Sequence, residues 1–287
     1  MRALGFRVAT LTGLIVRELL RQNVLYLILI PAVLTLLTLP LFTALTFEEQ
    51  IKFTRDFCYG TMSIFGVFLA IIATAQSISN DLEQKTIFTI LAKPIDRWEY
   101  LFSKGLGMSW ILFLALLILG VLSAGLFALQ EKGLIEAAVG NATHPLSAQE
   151  LQGLRDQIWN PALLMALLIL YFKLILMVGF TILFSTVASS SLFTIFTSLM
   201  IYVIGHLQST AREWMMSSEG ISVGMKWGVG FMTVILPDMS FYEGADRILM
   251  GASPGLSSLI PSFGYTFFNL FWILGLSTWL FESRDFR

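Results

Sequence analysis

Few strings in this chain have residue types and spacings that chemistry uses. Gly220 to Gly224 reads GISVG, the G-x-S-x-G pattern in which a strand-to-helix turn exposes a nucleophile, here Ser222. In that setting the histidine base follows the serine along the chain, but His144 and His206, the 2 histidines, both precede it. Chance accounts for the string. GLGMSW, from Gly105, starts like a dinucleotide-binding turn, but it has no third glycine, preceding strand or later acidic partner. Two distant histidines and a lone Cys58 make neither a metal cluster nor an intrachain disulfide. No G-x-x-x-x-G-K-[ST] phosphate cradle occurs.

Two polar features remain. Lys173 sits in an otherwise apolar run, and a lysine at a bilayer centre costs roughly 2.5 to 3.5 kcal/mol. With Asn160 capping and Pro161 in the first turn of that helix, it either snorkels to the headgroups or lines a path through the protein. The other feature is the dense charged stretch NDLEQKTIFTILAKPIDRWEYLFSKG, Asn80 to Gly105, between two long apolar segments.

The elements that must hold these groups are membrane helices. With 56% apolar residues, 13% charged residues and a mean hydropathy of +0.78, the composition lies outside the range of soluble domains. A net charge of -1 excludes nucleic acid as a partner, because neutralising phosphates needs a basic surface. A spanning helix needs about 20 apolar residues. Six runs qualify: Val24 to Phe47, Phe57 to Ser79, Leu106 to Leu129, Pro161 to Ala188, a shorter Leu192 to Leu207, and Ser262 to Phe281. The first is too long for a signal-peptide core and is expected to be a retained span. Gly220 to Pro237 is apolar but broken by Gly224, Gly228, Gly230 and Lys226, which predicts re-entrant or interfacial pieces before the last span.

The expected fold is therefore all-α, a polytopic membrane protein forming one transmembrane domain over residues 1–287. Leu4, Val8, Leu11, Ile15 and Leu19 recur at three- and four-residue spacing, predicting an amphipathic interfacial helix over residues 1–23. Residues 130–160 and 208–261 are expected as exit-side loops. The first carries a Ser147/Glu150 capping box and a possible sequon at Asn141; the second is rich in Trp214, Trp227, Met215 and Met216, suited to a headgroup layer. Arg2, Arg7, Arg17 and Arg21, then Lys85, Lys93, Arg97 and Lys104, then Arg284 and Arg287 concentrate positive charge on one side. That density places both termini and the 80–104 loop in the cytoplasm.

Within that loop, Asn80 with Glu83 and Asp96 with Glu99 each fit a capping box. Pro94 disfavours helix at Lys93. The pattern predicts two capped helices about a proline corner, the second running through Trp98, Tyr100 and Leu101 into the third span. A mere connector would need no such order, so something is expected to dock there.

The run LEQKTIFTILAKPIDRWEYLFSKGLG resembles the cytoplasmic loop of ABC-2 type transporter permeases in Glu83, Lys85-Thr86, Leu91 to Arg97, Glu99-Tyr100 and Lys104. More loosely, FSTVASSSLFTIFTSLMIYVIGH from Phe184 resembles the family's corner between spans four and five, and FESRDFR its basic tail. Lys85 departs from the family's common glycine, and the 130–160 loop is longer than the family minimum. The resemblance implies that residues 80–104 are a coupling element fitting a groove on a separate ABC ATPase subunit. That partner holds ATP and Mg, and this chain binds no cofactor or metal. Glu83, Asp96, Arg97 and Glu99 would be polar contacts or caps, Thr86 and Pro94 would shape the turn, and Ile87, Phe88 and Ile90 would form the apolar docking face. Capping and headgroup contact alone would be the alternative role of the four charges. The resemblance further implies a second permease copy, homo- or heterodimeric, in the inner membrane among its lipids. A non-transporting anchor or mechanotransmission subunit is the alternative, and secondary transport is weaker because acidic residues are absent from all six runs.

Overall fold

The computed structural model describes residues 2–43, 50–83, 96–140, 162–188, 190–217, 224, 237–249 and 256–283. Among these residues the regular elements are helices, without a strand, as the spacing of apolar residues predicts. Six segments are long and apolar enough to cross a membrane: Asn23–Thr43, Gln50–Asp81, Arg97–Gly133, Ala162–Val187, Ser191–Gln208 and Leu259–Glu282.

Helix α1, Arg2–Arg21, buries Val8, Ile15 and Leu19 and packs on the third span. Gly107 permits the approach, since a Cβ there would lie 2.7 Å from Ile15 Cγ2. The first span is α2, Asn23–Leu37, and α3, Leu39–Thr43. The break falls at Thr38, whose amide bonds back to Leu34 and Thr35, and Pro40 sits in the first turn of α3, where its missing N–H removes no helical bond.

The second span joins α4, Gln50–Phe68, a π turn, Leu69–Ala73, and α5, Thr74–Glu83. Asn80 therefore lies inside a helix and does not cap a new one. The amides around it already have partners one turn earlier, so there is no orphan donor to satisfy. Helix α6, Arg97–Gly140, begins directly after Asp96, as the second capping box predicts, and runs without interruption into the third span. Its 44 residues extend about 66 Å, so residues 130–140, expected in a loop, continue the helix. The Asn141 sequon and the Ser147 capping box lie outside the described residues.

Helix α7, Ala162–Val187, is the fourth span and α8, Ser191–Ser217, the fifth, the latter longer than its apolar run because Gln208 to Ser217 stay helical. The stretch before the last span contains a 3₁₀ turn, Met239–Tyr242, whose Ser240 amide donates to Asp238 Oδ1 at 2.9 Å, and α9, Gly244–Leu249. The glycine-broken stretch expected to re-enter the membrane lies, apart from Gly224 and Pro237, outside the described residues. Helix α10, Leu256–Glu282, is the last span.

Helix α7 is the hub, packing on α10, α6, α9, α8 and α5. Its face from Leu174 to Leu183 is buried almost throughout. Large apolar side chains such as Leu27, Ile118, Phe196, Phe267 and Phe271 point outward, as a bundle dissolved in hydrocarbon requires. Hydroxyls inside the spans bond to carbonyls one turn back, as Thr61 does to Phe57 at 2.8 Å and Thr181 to Met177 at 2.8 Å. A polar group in lipid needs such an internal partner.

Candidate functional site

Four separate chain segments converge where the 80–104 stretch meets the bundle. Ser77 and Asp81 lie one turn apart near the end of α5, and Tyr100 and Lys104 one turn apart near the start of α6, so each pair shares a helix face. The faces meet. Lys104 Nζ donates to Asp81 Oδ2 at 2.8 Å and to Ser77 Oγ at 2.6 Å. Tyr100 OH donates to the same Asp81 Oδ2. Glu18 of α1 reaches Lys104 Nζ at 3.7 Å. Lys104 and Asp81 are nearly enclosed, at 3% and 9% side-chain exposure, so this is a desolvated ion pair whose remaining hydrogen-bond capacity is filled from neighbouring side chains.

The last span closes the arrangement. Arg97 Nη1 donates to the Phe281 and Glu282 carbonyls, satisfying acceptors that the end of α10 leaves without helical partners. Its guanidinium also lies 5.7 Å from the Phe281 ring centroid. Tyr100 stacks on the same ring at 6.2 Å. The end of α1, both anchor points of the 80–104 stretch and the end of α10 are thus held together. Burial raises the Glu18 pKa above its usual 4.5; Lys104 opposes that shift and Asp81 adds to it.

Of the residues expected to couple to an ATPase, Asp96, Arg97 and Glu99 are described in full. Asp96 is exposed ahead of α6, Arg97 turns toward α10, and Glu99 is buried at 1% exposure with its Oε2 unbonded among the described residues. Glu83 ends α5, and its side chain lies outside the described residues, as do Thr86, Ile87, Phe88, Ile90 and Pro94. Glu18, Ser77 and Asp81 were not singled out by sequence. The available signal was spacing: Ser77 and Asp81, then Tyr100 and Lys104, stand at i, i+4 on either side of one loop.

A second polar site lies at the other end of the bundle. From Ser77 back to Asp56 the second span rises about 31 Å. There Lys173 of α7, 8% exposed, places Nζ 3.1 Å from His206 Nε2 of α8 and 5.2 Å from the Tyr202 ring centroid. His206 Nδ1 faces the Tyr202 carbonyl at 3.0 Å. A carbonyl only accepts, so the ring proton belongs on Nδ1 and Nε2 accepts from the ammonium. Lys173 is therefore held by groups of α8 and is itself nearly buried. It lines a half-open cavity of about 400 Å³ with Asp56, Tyr59, Gly60 and Ser63 of α4, and with the 239–243 turn. Asp56 and Asp81 flank the apolar run that appeared free of acids, and both fall within the longer observed span. Tyr242, buried beside this cavity, bonds Thr266 Oγ1 at 2.6 Å, and burial raises its pKa.

Six apolar spans with α7 at their centre, and two clusters of polar side chains near opposite ends, define a multi-pass α-helical integral membrane protein. The chain belongs to the ABC-2 family transporter proteins, whose family model matches residues 32–286. That membership makes it the membrane-embedded type of ABC transporter subunit, which works with an ABC ATPase subunit. No curated protein matches the sequence.

Proposed function

We propose that this chain is a permease subunit that moves a substrate across the cytoplasmic membrane, driven by ATP that a separate Mg-dependent ATPase hydrolyses, and that residues 80–104 are where that ATPase docks. Both termini face the cytoplasm in this reading, and two permease copies assemble with two ATPase copies. Glu83, Asp96 and Glu99 sit at the borders of the docking element, Thr86 and Pro94 shape it, and Ile87, Phe88 and Ile90 form its apolar face. Arg97 works on the bundle side, tying the element to the last span.

The observation that carries the reading is the buried cluster of Lys104, Asp81, Tyr100 and Ser77. A push on a loop reaches the spans only if the loop's ends are stiffly joined to them, and a desolvated ion pair between α5 and α6 is such a joint. The same cluster takes in α1 through Glu18 and, through Arg97 and Tyr100, the last span.

The test is affinity purification of the chain in mild detergent from its own membranes, beside a version with residues 91–99 replaced by a glycine-serine linker, followed by an ATPase assay. Activity that accompanies the natural chain and is lost with the linker supports docking. Activity retained with the linker, or absent from both, overturns it. ATP-dependent accumulation of cargo in vesicles by the reconstituted complex would separate transport from a purely mechanical or anchoring role.

A further inference from the structure

The cavity around Lys173 has a lining that the coupling role does not use. Asp56, Tyr59, Gly60 and Ser63 fall at i, i+3, i+4 and i+7 of α4, so one face of a membrane span is polar where hydrocarbon or apolar packing would exclude it. That face looks across the cavity toward Lys173, His206 and Tyr202. At about 400 Å³ the space has the size of a small-ligand site.

Its charges are mixed in sign. The titratable groups lining it are the ammonium and imidazole of Lys173 and His206, the carboxylates of Asp56 and Glu243, and tyrosine hydroxyls. In a space about 9 Å across, every charge lies within roughly one Debye length of any occupant. A purely anionic occupant would meet both carboxylates, and a purely cationic one would meet Lys173. A molecule carrying both signs can place each end beside its complement. Tyr59 and Tyr242 also line the cavity, and aromatic rings are groups of the kind that hold ammonium ions.

We propose that this cavity binds a zwitterionic group, an ammonium and a phosphate or carboxylate on one molecule, with the anionic end toward the Lys173 ammonium and the ammonium end toward Asp56 or Glu243. The same chemistry is found on a zwitterionic lipid headgroup and on a small soluble zwitterion. Binding here does not depend on an ATPase, so it stands or falls separately from the docking of residues 80–104.

The test uses the purified full chain in a maltoside detergent, without ATPase. Dissociation constants are measured for glycerophosphoethanolamine, for phosphatidylethanolamine and for phosphatidylglycerol, which has the phosphate but no ammonium. The expected result is saturable binding of at least one of the first two, about tenfold or more tighter than phosphatidylglycerol. Binding of the lipid alone identifies a headgroup site, and binding of the soluble compound identifies a solute site. Lys173→Gln should weaken binding about tenfold. Gly60→Leu guards against misfolding as the cause: Gly60 lines the cavity and a Cβ there meets nothing within 4 Å, so leucine has open space to enter and should abolish binding while the unfolding midpoint holds. Failure of both zwitterions to bind, equal affinity for phosphatidylglycerol, or unchanged binding in Gly60→Leu overturns the proposal.

Discussion

Replacing Lys104 by methionine removes a charge while keeping a side chain of similar length, and the structure sets the scale of the effect. Lys104 Nζ is held by Asp81 at 2.8 Å and Ser77 Oγ at 2.6 Å, with Glu18 at 3.7 Å. Without the ammonium, Asp81 is a nearly enclosed carboxylate that has lost its closest cation. Removing one partner of a buried pair destabilises by about 3–5 kcal/mol, or roughly two to three and a half decades in the unfolding equilibrium. The Asp81→Asn change in the same background removes the orphaned charge, while its amide oxygen can still accept from Tyr100. The double variant should therefore be less damaged than the sum of the singles, with a coupling of about 2 kcal/mol. Unfolding of the purified protein by titrated denaturing detergent, read by circular dichroism, gives all four corners of the cycle. A Lys104→Met loss below about 1 kcal/mol would place the pair among weak, solvated ones. Strict additivity of the two changes would show that it is not one unit, and the joint between loop and spans would then have no energetic basis.

Three other changes probe the packing around the two sites. Gly107→Ala places a Cβ 2.7 Å from Ile15 Cγ2 and 3.2 Å from Ile15 Cβ; α1 should lift from α6, exposing Arg17 and Arg21 to trypsin, and Ile15→Ala in the same chain should reverse the exposure. Gly205→Ala meets the Pro237 carbonyl oxygen at 2.7 Å and Met239 Cγ at 3.0 Å; backbone yields poorly, so a loss of about 1–3 kcal/mol is expected in thermal unfolding, and no loss would refute the close contact. Burial raises the Glu18 pKa above 4.5, so packed α1 holds a proton that released α1 gives up, and packing weakens as pH climbs from 4.5 through the raised value. With Glu18 44% exposed the effect is small; the unfolding midpoint of the natural chain should fall relative to Glu18→Gln over that window, and a rise would contradict the sign.

The spans were legible because hydrophobic length is a constraint that each segment satisfies by itself. Helix ends were less so. Apolar runs stop where hydrocarbon stops, whereas helices stop where backbone bonding stops, which is why α6 reaches Gly140 and α5 passes through Asn80. The Asp96 boundary was readable because Pro94, which disfavours helix before it, and a capping residue stand together there. The ion pair was hidden for a different reason: Asp81 and Lys104 are brought together by the pairing of two spans, which a single sequence does not state. Lys173 was conspicuous alone, but its partner His206 belongs to another span, and histidine in an apolar segment carries no label saying which neighbour it meets. The i, i+4 pairs flanking the 80–104 loop were the signal passed over.

The second span is the element common to both polar sites, and its irregularity explains how. Asp56, Tyr59, Gly60 and Ser63 face the cavity with Lys173, while Ser77 and Asp81 face Lys104. An unbroken α-helix fixes the angle between two such faces by its 3.6-residue period. The π turn at Leu69–Ala73 takes in one extra residue, rotating the lower half by about 100° against that period. The wide turn is packed on α7, where Leu69, Ala70, Ile71 and Ala73 are all buried, so the tertiary fold holds the distortion in place. A single span can then serve a cavity on one side and an ion pair on another. If the ATPase drives α5 from the 80–104 stretch as proposed, the rotation would pass through this turn before it reached the Asp56 face.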